Sequence, residues 1–177
     1  FGIKGKNIDG NKFADEALKK KASICILEKN YSKKNPRKIF VKDILKTFSN
    51  LSCIIRRSLG TPIVAITGSA GKTSLKELIG QSLNTLLPTS YSKKSFNNQY
   101  GVPLSLFNID KKHKIGVFEI GMDKKGEIHK LSNLIQPNVG VITNISYAHI
   151  KNFKSIRGIA EAKAEIIKNI TVGGKII

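Results

Sequence analysis

The residues best suited to chemistry are Thr67-Gly68-Ser69-Ala70-Gly71-Lys72-Thr73-Ser74. Glycines at 68 and 71 let the backbone turn its N–H groups onto a polyphosphate, Lys72 can reach the terminal phosphates, and Thr73 offers a hydroxyl to Mg²⁺. The pattern departs from the full P-loop at Ile66, where a glycine normally stands, leaving a shorter G-x-x-G-K-T form. A second feature is Glu119, the single carboxylate in the apolar run Ile115-Gly116-Val117-Phe118-Glu119-Ile120. A charge there is costly unless it is paired or holds a cation, so Glu119 is either a lysine partner or a Mg²⁺ ligand. His149, in the loop after Val139–Thr143, is read either as polar surface or as a ligand; His113 and His129 have less to recommend them. Lys163 falls in the middle of a helical stripe formed by Ile156, Ile159, Ala160, Ile166, Ile167 and Ile170, opposite Arg157, Glu161, Glu165 and Lys168. It either snorkels outward with its stem buried, or is desolvated and easily kept neutral. A neutral amine there can take up CO₂ as a carbamate, a two-oxygen anion suited to Mg²⁺.

Parallel-sheet elements are needed to bring these groups together. Pro62–Ile66 reads as a strand ahead of the glycine loop, and Leu75, Leu78, Ile79, Leu83 and Leu86 mark the helix after it. Thr89-Ser90-Tyr91-Ser92 and a polar loop through Asn97-Asn98 come next. They are followed by a helix over 99–107, a strand over 115–120, a helix over 125–135, a strand over 139–143, a helix over 155–170 and an incipient strand at 175–177. Strands separated by helices predict a parallel sheet with helices on both faces, and ligands in such sheets bind beyond the carboxyl ends of the strands. Residues 1–60 read as a smaller α/β unit. It has a strand end at 1–4, a loop over 5–10, and a helix over 12–21 with Phe13, Ala17 and Leu18 inward. Strands at Ile24–Leu27 and Ile39–Val41 flank a polar loop over 29–38, and a helix capped by Asp43 ends near Gly60. The expected boundary is Gly60-Thr61-Pro62, giving units 1–60 and 61–177. The start at Phe1 and the stop at Ile177 inside an apolar run lead us to expect part of a longer protein.

The 177 residues carry a net charge of +19, from 27 Lys and 4 Arg against 12 acidic groups. The lysines are spread along the chain instead of forming a stripe, so a solvated surface is favoured over a nucleic-acid site. No apolar run reaches the roughly 18 residues of a membrane span, and no signal-peptide pattern is present; a cytoplasmic location is expected. Cys25 and Cys53 show no pairing logic and read as small hydrophobes in a reducing compartment.

Taken in order, these motifs resemble the Mur ligases, the ATP-dependent amino-acid ligases of bacterial peptidoglycan synthesis. The P-loop with Leu75-Lys76-Glu77, the segment Phe96-Asn97-Asn98-Gln99-Tyr100-Gly101-Val102-Pro103-Leu104, and Glu119-Ile120-Gly121-Met122 with Gly126-Glu127-Ile128 match family motifs. So do Thr143-Asn144-Ile145 with His149, and Ala160-Glu161-Ala162-Lys163-Ala164-Glu165-Ile166. Ser95 stands where an asparagine is usual, and Asn11 where the family often has histidine. The motif details favour the branch that joins D-alanyl-D-alanine to a UDP-N-acetylmuramoyl-tripeptide.

The resemblance implies a partial uridine-nucleotide-binding domain at 1–60, with Lys4, Gly5 and Asp9 as substrate contacts, and a partial ATP-binding domain at 61–177. It implies ATP held by Gly68, Ser69, Ala70, Gly71, Lys72, Thr73 and Ser74. One Mg²⁺ would lie at Thr73 and Glu119, and a second at His149 and carbamylated Lys163. Asn97, Asn98 and Asn144 are implied as further substrate contacts, and Lys72, His149 and Lys163 as the catalytic set. A monomer that binds neither nucleic acid nor membrane is expected, as is an inactive fragment if these residues stand alone. The alternatives are a sister ligase of the family, a P-loop hydrolase or kinase indifferent to UDP-sugars, and a basic module whose nucleic-acid binding is steeply salt-dependent.

Overall fold

Asn11, a polar residue, sets the register of the first helix. The computed structural model describes residues 1–177 except Asn30, Ser32, Lys33 and His149. Asn11 is 3% exposed; its Oδ1 accepts from the Glu28 and Lys29 amides at 2.9 and 3.3 Å, and its Nδ2 donates to Asp9 at 2.7 Å. The chain leaves this anchor as a 3₁₀ turn, Gly10–Phe13, and continues as α1, Ala14–Lys19. With Asn11 turned inward, Ala14 and Leu18 follow it on the same helical face, while Phe13 is left exposed. The inward Phe13 and the helix over 12–21 expected from the sequence are therefore corrected.

Ala14 and Leu18 pack with Cys25 and Leu27 of β1, Cys25–Leu27. β1 pairs in parallel with β2, Lys38–Phe40, in the register Cys25↔Lys38 to Leu27↔Phe40. Residues 1–4 do not form the expected strand end. Gly2 donates to Ile26 O at 2.8 Å, and Lys4 makes only a single antiparallel bridge, to Asp9. Part of the expected 29–38 loop lies outside the described residues. Helix α2, Ile44–Leu59, starts where predicted, with Asp43 Oδ1 accepting from the Lys46 amide at 2.8 Å. The two compact units are Phe1–Leu51 and Ser52–Ile177, so the division falls inside α2, ahead of the Gly60–Pro62 turn that ends it.

In the second unit five parallel strands lie in the order β4-β5-β3-β6-β7. They are β3, Ile63–Thr67; β4, Thr89–Tyr91; β5, Ile115–Glu119; β6, Val139–Ile142; and β7, Lys175–Ile176. The helices are α3, Lys72–Asn84; α4, Gly101–Phe107; α5, Glu127–Ile135; and α6, Ile156–Ala164. Ile63 and Ala65 of β3, Phe118 of β5, Ile128 and Ile135 of α5, and Ile159 and Ile166 after β6 share one core. This α/β fold, a parallel sheet flanked by helices after a small α/β unit, is the one the sequence predicts. No helix among the described residues is long and apolar enough to cross a membrane.

In the second unit two further helices differ from expectation. The segment 155–170 is α-helical only to Ala164 and tightens into a 3₁₀ turn over Glu165–Asn169. That change of pitch rotates the apolar stripe. Ile159, Ala162, Lys163 and Ile166 are buried, Ile156 and Ile167 are exposed, and Glu165, placed by the sequence on the outer face, is buried. On α3 the inward residues are Lys76 and Gly80, whereas Leu78 is 64% exposed; the helix ends at Asn84, so Leu86, expected on it, lies beyond its end and is 81% exposed. Gly80 faces Tyr91 of β4 so closely that an added Cβ would lie 2.6 Å from the ring's Cγ.

Helix propensity alone favours Gly80→Ala by about 1 kcal/mol, but the overlap with Tyr91 outweighs it, and a net destabilisation of about 1–3 kcal/mol is expected. Urea unfolding of the variant checks this. A Gly80→Ala protein more stable than the wild type would mean that α3 and β4 are not in close contact.

Candidate active site

The site is built where the loops after β3 and β6 leave the sheet in opposite directions, the usual place for a ligand crevice in an open parallel sheet. β3 ends at the fully buried Thr67, and Gly68 follows with φ +145°, where a Cβ would meet Thr143 Oγ1 at 1.8 Å; only glycine fits. The segment after β6 clamps the loop. The Thr143 amide donates to Thr67 O at 2.9 Å, and its hydroxyl donates to Ala70 O at 2.6 Å. Asn144 accepts the Ser69 amide on its carbonyl at 3.0 Å and the Ala70 amide on Oδ1 at 2.9 Å. The Ser146 amide donates to Ser69 Oγ at 2.9 Å. Asn144, read from the sequence as a substrate contact, thus holds the loop itself. Lys72, the first residue of α3, donates to Gly68 O at 2.9 Å and so lies across the loop.

Glu119 ends β5 with 1% of its surface exposed. Its Oε2 accepts from Thr73 Oγ1 at 2.7 Å and its Oε1 from Asn97 Nδ2 at 2.6 Å. Among the described residues its oxygens are met by a hydroxyl and an amide rather than by a lysine. A buried carboxylate beside a hydroxyl is a hard-oxygen donor set, so these residues fit a Mg²⁺ ion next to a phosphate-binding loop. Asn97 is fixed in turn by the Gly121 amide, which donates to its carbonyl at 2.8 Å. The neighbouring Asn98 lies just ahead of α4, where its Oδ1 accepts the Tyr100 and Gly101 amides at 3.1 and 3.0 Å.

Lys163, on α6, is 2% exposed and lines a cavity of about 360 Å³ together with Gly68, Lys72, Asn97 and Asn98. Burial pushes its amine down to about 8, and the charge of Lys72 pushes the same way. The snorkelling reading is thereby set aside: the amine is desolvated and faces the cavity that the loop lysine also faces. His149 lies outside the described residues.

The residues expected to meet the uridine nucleotide belong to the first unit. There the Gly5 amide donates to Ile8 O at 2.8 Å, closing a turn between Lys4 and Asp9. Asp9 accepts from Asn11 and, on Oδ2, from Tyr31 Oη at 2.9 Å; these hydrogen bonds, those of Asn11 foremost, hold its carboxyl below the usual range.

Three residues that matter to the site were given no role there by the sequence. Glu165 accepts the Gly126 amide at 2.8 and 3.0 Å and the His129 amide at 3.1 Å, fixing the start of α5 beside the cavity. Lys130 lines the cavity from α5. Lys76 is fully buried one turn after Lys72. The family motifs span Lys76 and Glu165 without giving either a role; the four-residue spacing from the loop lysine was a further signal for Lys76, and nothing marked Lys130.

Residues 66–177 match the Mur ligase middle domain. Over 171 residues the chain is 36% identical to a UDP-N-acetylmuramoyl-tripeptide--D-alanyl-D-alanine ligase of Buchnera aphidicola, covering 96% of the chain and 37% of that protein. It is 35% identical to the Bacillus subtilis enzyme of the same name, covering 99% and 39%. A crystal structure of MurF from Acinetobacter baumannii superposes with a TM-score of 0.90 at 32% identity, covering 99% of the chain and 39% of that structure. The MurF ligase of Thermotoga maritima in complex with ADP superposes with a TM-score of 0.84 at 32% identity, covering 96% and 40%. The chain therefore spans well under half the length of these relatives.

Because the fold lowers the Lys163 amine from 10.5 to about 8, the unfolded chain holds the extra proton between those values. Stability should rise with pH across that window. In metal-free buffer, urea unfolding of the wild type relative to Lys163→Met should gain about 2 kcal/mol between about pH 8 and pH 10, and change little from about pH 6 to pH 7. A difference that stays flat through the alkaline window would show that Lys163 is solvated.

Proposed function

The chain belongs to the Mur ligase family, and from that premise we propose that it is part of an ATP-dependent ligase that joins D-alanyl-D-alanine to a UDP-N-acetylmuramoyl-tripeptide in peptidoglycan precursor synthesis. The observation that carries the reading is the convergence of Thr73, Glu119 and Asn97 beside the P-loop, with the desolvated Lys163 lining a cavity that Asn97 and Lys72 also line. The relatives' names point to the same reaction.

In the proposed reaction the tripeptide carboxylate attacks the γ-phosphorus of ATP, ADP leaves, and an acyl phosphate forms. The amine of D-alanyl-D-alanine then attacks the acyl carbon, loses a proton, and expels phosphate. The Lys72 ammonium and those amides of residues 68–74 that Asn144 does not engage bind the phosphates and stabilise the charge that shifts onto the leaving group. Thr73 and Glu119 would hold one Mg²⁺, which when bound offsets phosphate charge. His149 and Lys163 are assigned to a second ion. For that role Lys163 acts as a carbamate: its neutral amine adds to the carbon of CO₂ and releases a proton. The depressed pKa supports this step, since roughly a tenth of the amine is already neutral near pH 7.

Asn97 and Asn98, which line the cavity, and Asn144, which holds the loop, are assigned to the reacting end of the substrate. Lys4, Gly5 and Asp9 contact the uridine nucleotide, making 1–60 a substrate-binding part and 61–177 the ATP-binding part. The working protein is proposed to be a cytoplasmic monomer that requires neither membrane nor nucleic acid.

The test uses the full-length protein with tripeptide substrate labelled with ¹⁸O in its terminal carboxylate. Ligation should transfer label to the released phosphate, and Lys72→Ala should lower turnover by about 10²–10³-fold. Phosphate release without label transfer, or without dependence on the UDP-linked peptide, would favour a hydrolase instead.

A further inference from the structure

Lys76 is one of the largest fully buried side chains, and neither phosphate binding nor the Mg²⁺ site uses it. An ammonium has three donors, and each finds an acceptor: Glu77 Oε1 at 2.6 Å, Ser92 O at 2.5 Å and Lys94 O at 2.8 Å. Two of these are backbone carbonyls of the segment leaving β4, a segment with no regular structure of its own. It is also strained, since Lys94 sits at φ +49°, a conformation that costs a non-glycine residue free energy. Beyond the point of attachment the same segment delivers Ser95 Oγ to within 3.3 Å of Thr73 Oγ1, and Asn97 Nδ2 to within 2.6 Å of Glu119 Oε1. At its start, Ser92 Oγ accepts from the Glu119 amide at 3.4 Å.

We infer that Lys76 is a positioning residue: it fastens the loop 92–98 to α3, so that Asn97 and Ser95 are held over Glu119 and Thr73. The helix that carries Lys72 and Thr73 thereby also carries the bolt for the loop completing their site, and the two cannot shift independently. The role rests on reading Thr73 and Glu119 as the Mg²⁺-nucleotide site. The mechanical link itself does not.

The test compares wild type, Lys76→Met and Lys76→Gln in the full-length protein. Met removes all three hydrogen bonds while keeping the buried stem; Gln keeps a donor for one carbonyl. Amide hydrogen exchange over 93–101 should accelerate at least about tenfold in Lys76→Met, with the β3 and β6 amides unchanged. Turnover should fall about 10–100-fold, mostly in kcat, as expected when supporting groups slip by about an ångström. Lys76→Gln should fall between. Combined with Asn97→Ala, Lys76→Met should add little further loss, because both act through the same contact. Unchanged loop exchange, or losses that multiply fully in the double variant, would overturn the inference. So would unfolding of both single variants, which would make Lys76 a general stability element. If the wild-type protein does not turn over the proposed substrates, the ligase reading fails while the exchange result still decides the link.

Discussion

Burying a carboxylate at the end of an apolar strand costs several kcal/mol unless its oxygens are met by donors, and the site is arranged around that requirement at Glu119. One oxygen takes the hydroxyl of Thr73 from α3, and the other takes the amide of Asn97 from the loop after β4. Three separate segments are thus drawn to one point by one charge. The same oxygens that need these donors can hold a cation, so the constraint that orders the apoprotein also prepares the ion site.

The sheet supplies the rest. β3 lies between β5 and β6 in parallel register, with Ile66 opposite both Glu119 and Val141, so the carboxylate and the clamp that follows β6 end level with the glycine loop. Thr143 and Asn144 then hold the loop through four hydrogen bonds, two of them to loop amides. Lys163 approaches from α6, and the 3₁₀ turn after that helix sends Glu165 to the start of α5. Cations from two helices, Lys72 and Lys163, therefore face one cavity, and their mutual repulsion contributes to lowering the Lys163 amine.

Much of this was legible in the chain because it rests on local signals. The glycine loop is a contiguous pattern, Glu119 is a charge in an apolar run, and the alternation of strands and helices implies the parallel sheet. What was hidden depends on partners distant in sequence. Leu78 looked inward by spacing, but α3 turns Lys76 and Gly80 to the sheet because Tyr91 leaves room only for glycine. Glu165 looked like outer-face charge until the change of helical pitch brought it to the amides of Gly126 and His129. Asn11 takes the inward place expected for Phe13, since a polar side chain that satisfies two backbone amides outranks an aromatic one at a helix start.

The proposed chemistry turns on the Glu119 carboxylate, shared by Thr73 and Asn97, being the Mg²⁺ anchor of a nucleotide site. Calorimetric titration of the full-length protein with ATP, with and without Mg²⁺, probes this in the wild type and in Glu119→Gln. The isosteric amide keeps the shape but loses the charge. Mg²⁺ should strengthen ATP binding to the wild type by at least about tenfold, and this enhancement should disappear in Glu119→Gln while metal-free binding stays within about twofold. An undiminished Mg²⁺ enhancement in the variant would place the ion elsewhere and remove Glu119 from the site.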